Sequence, residues 1–249
     1  MNKVALITGG AKRVGRAIAL TLAESGMDIA FTWNNSEKEA EKLFEEIRSM
    51  ERNVISIKVD HNQSNAIEII VENFTKKFNR LDALINNASC FEPSVMGAIS
   101  SERFDRDMTI NARVPLLLIQ AFSTMLAENY SPEDSSSTGR VINFIDTHIL
   151  GEPLREYASY NASKAALLEI TNTCALELAP EITVNSIAPG VVAWAPSYSE
   201  EKKKEYLKRV PLGRAGLAEE AASAVKFLVQ EAHYCTGQII QVDGGRHLT

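Results

Sequence analysis

The chain has 249 residues, of which 45% are hydrophobic and 23% charged, and it carries a formal net charge of -6. That composition can bury a sizeable core and excludes a disordered polymer, and the length suits one large α/β unit. The acidic balance offers no broad cationic field, so neither nucleic acid nor an anionic membrane surface is expected as a partner and any anion must be bound locally.

Val4-Ala5-Leu6-Ile7 is a short apolar run closed by glycines and predicts a strand; Val14 to Ser25 follows with apolar residues at helical spacing. The alternation continues with a strand at Ile29 to Trp33, a helix at Glu37 to Met50, a strand at Val54 to Ile57, a helix at Ala66 to Phe78 and a strand at Ala83 to Ile85. A helix near Ala112 to Asn129, a strand at Val141 to Ile145, a helix at Tyr160 to Leu178 and a strand at Thr183 to Ile187 complete the pattern. Short strands alternating with longer helices imply a doubly wound α/β fold, a parallel sheet with helices on both faces. Tyr130 to Gly139 is polar and reads as a surface loop. Pro189 to Pro211 mixes Trp194, Pro196 and Tyr198 with the charged run Glu200 to Glu205, a solvated helical face, and its length marks a substrate-binding loop over residues 190–211.

Cys90, Cys174 and Cys235 are odd in number and widely spaced, which suits a reducing compartment. His61, His148, His233 and His247 lack i, i+4 pairing, so no metal site is expected. The longest apolar run, Val114 to Ile119, is too short to span a bilayer, and no apolar signal segment precedes the first strand; the expected location is the cytoplasm.

Thr8-Gly9-Gly10-Ala11-Lys12-Arg13-Val14-Gly15 joins the first strand to the first helix, an arrangement that points free backbone N–H groups and the positive helix end at a phosphate. At the end of the second strand, where a carboxylate would accept from an NAD ribose, the chain reads Thr32-Trp33-Asn34-Asn35-Ser36. Lys12, Arg13, Asn34, Asn35 and Ser36 can donate to a 2′-phosphate instead, so NADP(H) is the expected cofactor. Further along, a spacing of four puts Tyr160 and Lys164 on one helix face, where an ammonium can lower the pKa of a phenol from its usual value of about 10. Tyr157 is a nearby decoy with no lysine four residues on.

The glycine loop, Asp60, Asn86-Asn87-Ala88-Ser89, Asn111, Tyr160-Asn161-Ala162-Ser163-Lys164, Pro189-Gly190 and the closing Val242-Asp243-Gly244-Gly245 stand in the order and spacing of the short-chain dehydrogenase/reductase family, which the chain resembles over essentially its whole length. The resemblance implies one Rossmann-like domain over residues 1–249, an NADP-dependent oxidoreductase activity and a homotetramer. It also implies that Tyr160 is the general acid/base, that Lys164 lowers its pKa and holds the nicotinamide ribose, and that Asn111 orders a proton-relay water. Cofactor contacts are expected from Gly9, Lys12, Arg13, Val14 and Gly15, from Asn34, Asn35 and Ser36, from Asp60 at the adenine with His61 beside it, from Asn87, Ala88 and Ser89, and from Pro189, Gly190 and Val191.

Three departures from the family pattern point to a subgroup. Arg13 replaces the middle glycine of the loop, Ser89 replaces the glycine ending NNAG, and the serine expected before the tyrosine is missing. Arginine in the loop, Asn87-Ala88-Ser89-Cys90-Phe91, Asn111-Ala112-Arg113-Val114-Pro115 and the Val242 to Thr249 terminus resemble the pteridine reductases. That likeness implies a pterin held by Arg13, Ser89, Phe91, Asp146, Tyr160 and Trp194, with Phe91 sandwiching it against nicotinamide. Where the subgroup has Asp thirteen residues before the tyrosine, this chain has Thr147, and Asp146 stands one further back; an insertion in Gly151 to Arg155 would restore Asp146, and otherwise Thr147 supplies a hydroxyl. The alternatives are an NADPH-dependent carbonyl reductase such as a 3-oxoacyl-[acyl-carrier-protein] reductase and, in another class, a non-catalytic dinucleotide sensor.

Overall fold

A computed structural model of the chain describes residues 2–192, 194 and 198–249; Pro196 of the expected substrate loop lies outside them. Strands β1 (Val4–Ile7), β2 (Asp28–Trp33), β3 (Val54–Lys58), β4 (Ala83–Asn86), β5 (Gly139–Phe144), β6 (Ile182–Pro189) and β7 (Ile239–Val242) form one sheet in the order β3-β2-β1-β4-β5-β6-β7. All six pairings are parallel, with Leu6 opposite both Ala30 and Leu84 in register. Helices α1 (Arg13–Glu24), α2 (Glu37–Ser49), α3 (Ala66–Thr75), α4 (Ser101–Met108), α5 (Val114–Ala127), α6 (Ala158–Glu177), α7 (Glu200–Leu207) and α8 (Ala218–Gln230) connect them. This is the doubly wound α/β architecture the alternation predicts.

Period-two side-chain alternation divides the core into two layers. In β1, Ala5 and Ile7 pack with Ile18 and Leu22 of α1, Leu43 of α2 and Val225 of α8, while Val4 and Leu6 pack with Ile70 of α3 and Leu118 and Phe122 of α5. Leu22 and Leu118 are fully buried, so truncating either to alanine would cost about 2–5 kcal/mol.

The helix expected near Ala112 begins earlier and is interrupted. Ser100 caps α4, its Oγ accepting from the Arg103 N–H at 3.2 Å, but SERFDRDM has no apolar periodicity to announce the helix. Between α4 and α5, Thr109–Arg113 forms a π-helical turn in which Val114 N–H bonds the Thr109 carbonyl. Pro115 explains it: proline offers no N–H to the carbonyl four residues back, at Asn111, and its ring crowds that carbonyl, so the ladder slips by one residue. Ser101–Ala127 together make 27 continuous helical residues, long and apolar enough by composition to cross a bilayer. Here the apolar stripe of Val114, Leu118, Ile119, Phe122 and Leu126 is buried in the core instead. Strand β7 was not foreseen, because as an outer strand it alternates exposed and half-buried positions and shows no apolar run.

Connections run outward from β1 toward β3 on one side and from β4 toward β7 on the other. The loops at the carboxyl ends of β1 and β4 therefore diverge and leave a crevice, the switch point where open α/β sheets bind ligands.

Candidate active site

The β1-to-α1 turn closes over that crevice. Gly9 has φ +64°, and a Cβ on it would lie 3.0 Å from the Ala88 Cα, so a side chain there would push the turn off the end of β4. Gly9 N–H donates to Thr32 Oγ1 at 3.0 Å. Thr8 Oγ1 accepts from the N–H groups of Asn87 and Ala88, each at 3.0 Å, and Asn87 Nδ2 donates to the carbonyls of Thr8 and Gly9. These bonds fix the two strand ends to each other. Beside them runs a groove of about 450 Å³ lined by Gly9, Lys12, Arg13, Val14, Gly15, Asn34, Asn35, Ser36, Asn87, Ala88, Ser89 and Gly190. Among the described residues no carboxylate lines it, and α1 has no acidic residue in its first turn, whereas α2, α3, α4, α7 and α8 all do. A helix start left free of negative charge suits an anionic ligand.

Asp60 and His61 line an adjoining hollow with Gly9, Asn34 and Ala88. His61 Nε2 is 3.2 Å from Thr32 Oγ1. Burial lowers the His61 pKa to about 4 against the opposing pull of Asp60. Of the residues expected to contact a dinucleotide, the glycine-loop residues, Asn34, Asn35, Ser36, Asn87, Ala88, Ser89 and Gly190 line the groove, Asp60 and His61 line the adjoining hollow, and Pro189 and Val191 line the neighbouring cleft.

Tyr160 and Lys164 share the first turns of α6 and are both buried, with Lys164 Nζ 5.9 Å from the centre of the phenol ring. Tyr160 Oη donates to Asp146 Oδ2 at 2.7 Å. The other Asp146 oxygen accepts the His148 N–H at 2.9 Å and caps the turn that follows β5. Of the two residues left open by spacing, Asp146 is the one that meets the phenol. Thr147 does not: it is buried on the other side, with Oγ1 donating to Asp243 Oδ2 at 2.7 Å. Asp146 is extended (φ -148°, ψ 141°), so successive side chains point opposite ways and only one of the pair can face the cleft.

The expected depression of the phenol pKa is corrected. Burial pushes Tyr160 well above its ordinary value, and the Asp146 carboxylate pushes it further; burial lowers Lys164 to about 8. Lys164 Nζ donates to the Phe144 carbonyl at 2.6 Å rather than to the phenol, so desolvation and the carboxylate decide the direction. Tyr160 is held as a protonated acid.

These groups open on a cleft of about 220 Å³, lined also by Arg13, Ser89, Phe91, Pro189, Gly190, Val191 and Trp194, by Tyr198 and Tyr206 of the expected substrate loop, and by His148 and Leu154, to which no sequence signal assigns a place in the site. Phe91 stacks on Tyr157 with ring centres 4.6 Å apart at 17° and meets Tyr160 edge-on at 4.9 Å. Tyr157, a decoy for proton chemistry, is an aromatic platform. Trp194 packs on Tyr198 and Tyr206 across 5.4 and 5.7 Å. Arg13 occupies the glycine position of the loop with φ +52°, a left-handed conformation that costs a non-glycine residue about 1–2 kcal/mol. It lines both the groove and the cleft.

Asn111 is fully buried on the π-helical turn. Its Oδ1 accepts from Ser89 Oγ (3.0 Å) and Cys90 N–H (2.9 Å), and its Nδ2 donates to the Cys90 carbonyl (3.1 Å) and Ser163 Oγ (2.9 Å). All four bonding positions of the amide are taken, so the side chain has none left for the expected relay water; it fastens the Ser89–Cys90 segment to α6. A second fastening has no local signal in the sequence. Arg103 donates to Glu92 Oε2 and to the Glu92 carbonyl (2.8 and 2.6 Å), and Arg106 donates to Glu92 Oε1 (2.8 Å). Buried Asp107 accepts from Arg103 Nε (3.0 Å) and from Ser159 Oγ (2.5 Å), the residue before Tyr160. Helix α4 thereby ties the Phe91 segment to the helix that carries the phenol.

A family profile described as enoyl-(acyl carrier protein) reductase matches residues 9–247. The 3-oxoacyl-[acyl-carrier-protein] reductase FabG of Staphylococcus aureus is 31% identical over 253 aligned residues, covering 100% of this chain and 99% of the relative. Among solved structures, FolM alternative dihydrofolate reductase 1 from Brucella canis, complexed with NADP, superposes with a TM-score of 0.89 at 30% identity, covering 100% of this chain and 95% of that one. Acetoin dehydrogenase from Enterobacter cloacae gives 0.88 at 31%, covering 100% and 96%. The chain belongs to the short-chain dehydrogenase/reductase family and is an oxidoreductase.

Proposed function

We propose that the protein is an NADPH-dependent reductase of the pteridine reductase type, which reduces a C=N bond of a dihydropterin or dihydrofolate. The observation that carries the reading is the meeting of Arg13, Phe91 and the Asp146–Tyr160 pair on one cleft. A flat, polar heterocycle needs an aromatic face and fixed polar groups at its rim, and Phe91, Ser89 and Arg13 supply them. The Brucella canis structure, described as a dihydrofolate reductase with NADP, supports both parts of the reading.

The groove fits the cofactor: no carboxylate lines it among the described residues, and Lys12, Arg13, Asn34, Asn35 and Ser36 offer donors for a 2′-phosphate. NADPH, when bound, supplies the hydride. Tyr160 Oη donates the proton to the substrate nitrogen, and Asp146, half-buried on the cleft wall, connects the same oxygen to solvent. Lys164, fixed by the Phe144 carbonyl, would hold the cofactor ribose. Assembly as a homotetramer in the cytoplasm belongs to the same reading.

The test follows NADPH oxidation with dihydrobiopterin, dihydrofolate and dihydromonapterin. Turnover of at least one is expected, and turnover of none removes the pterin assignment. A second reading, reduction of 3-oxoacyl thioesters, is favoured by the whole-length identity to FabG. Phe91→Ala separates the two: pterin turnover needs the ring platform, and an acyl chain does not.

A further inference from the structure

His148 lines the reaction cleft, and no step above uses it. The ring is 7% exposed and held from several sides. Its Nδ1 lies 3.0 Å from the Glu152 carbonyl oxygen. A carbonyl only accepts, so Nδ1 carries the proton, and in the neutral ring Nε2 keeps its lone pair. Glu152 is fixed in turn, because Arg209 and Arg246 both bond its Oε2. Tyr206 stands edge-on to the imidazole with ring centres 6.0 Å apart, and the Arg246 guanidinium lies 5.4 Å from the Tyr206 ring centre. Among the described residues no protein group bonds Nε2. A ring held in place with its tautomer set, and with an acceptor left open on a cleft wall, is suited to recognise a donor.

The walls of the cleft say which part of the substrate provides it. Arg13, Ser89 and Phe91 also line the dinucleotide groove, whereas Asp146, His148 and Tyr206 do not. A heterocycle gripped by the first three, with its reducible bond at Tyr160, turns the substituent beyond that bond toward the second three.

We propose that His148 is a specificity-determining residue whose Nε2 accepts a hydrogen bond from a hydroxyl on the substituent next to the reduced bond, so that hydroxyalkyl pterins are selected over pterins with no donor there. The inference rests on the pterin reading. A thioester carbonyl or a carboxylate, each an acceptor, finds no partner in that nitrogen.

The test compares kcat/KM for 7,8-dihydrobiopterin and for 6-methyl-7,8-dihydropterin in the wild type, in His148→Leu and in His148→Gln, whose amide oxygen restores an acceptor. A neutral hydrogen bond corresponds to a preference of roughly 3- to 10-fold for the hydroxylated substrate in the wild type. In His148→Leu the ratio falls to about one, chiefly through KM, and in His148→Gln part of it returns. The ratio is read on one preparation, so partial unfolding of a variant cancels. A ratio that His148→Leu leaves at the wild-type value overturns the inference while the pterin reading stands. A wild type that reduces neither substrate removes both.

Discussion

Asp146 Oδ2 accepts from Tyr160 Oη across 2.7 Å, so the carboxylate opposes ionisation of the very phenol it orients. In the proposed reduction the phenol must be protonated, so activity is expected to fall as pH rises through its pKa. Asp146→Asn takes away one cause of the raised value, so the alkaline limb of kcat/KM moves to lower pH. Tyr160→Phe removes the proton donor and lowers kcat by roughly 10²- to 10⁴-fold. Thr147→Val leaves the limb in place and lowers stability by about 1 kcal/mol through its lost bond to Asp243. A limb that Asp146→Asn does not move would separate the carboxylate from the chemistry.

Arg13 stands at φ +52° in a turn where glycine would be unstrained. Arg13→Gly therefore raises stability by about 1 kcal/mol toward denaturant while kcat/KM with NADPH and a pterin falls. Stability and activity moving down together would show that the arginine supports the fold instead.

His61 has a pKa of about 4 in the folded chain, below the ordinary value of 6.5. Above pH 6.5 both folded and unfolded chains carry the neutral ring. Between 6.5 and about 4 the unfolded chain binds more protons, so stability is lost as pH falls, by up to about 3 kcal/mol. His61→Gln flattens this part of the profile in urea titrations at pH 7, 6 and 5. An unchanged slope would show that the ring takes up its proton without leaving its place.

Lys164 repeats the case at high pH. Its folded pKa of about 8 lies below the ordinary 10.5, so between those values the unfolded chain binds more protons and stability rises with pH. Above pH 10 the raised Tyr160 works against that gain, because there the unfolded phenol ionises first. Lys164→Met removes the rise between pH 8 and 10 and is more stable than the wild type at pH 7, while turnover collapses. Equal slopes for the two proteins in that window would refute the assignment.

Local signals carried much of the fold. Apolar runs such as Val4 to Ile7 become strands buried on both faces, and periodic segments such as Glu37 to Met50 become helices, because period and burial are properties of neighbouring residues. The glycine loop, Tyr160 and Lys164 were legible for the same reason. What stayed hidden was set by partners distant in sequence. Nothing near Asp146 or Thr147 says which faces the phenol; the bond from Thr147 to Asp243, far along the chain, shows where the other one is held. The direction of the Tyr160 pKa depends on burial by the whole fold. Helix α4, with Arg103, Arg106 and Asp107, has no apolar face to betray it, and its meaning lies in Glu92 and Ser159. The π-helical turn did leave a trace, since Pro115 lies four residues after Asn111.

The groove and the cleft are not separate rooms, for Arg13, Val14, Asn87, Ser89, Phe91 and Gly190 line both. Whichever molecule arrives second meets a surface built partly of the first. On the proposed reading a dinucleotide in the groove would form part of the wall that the substrate meets, so both must be present together and steady-state plots are expected to intersect rather than run parallel.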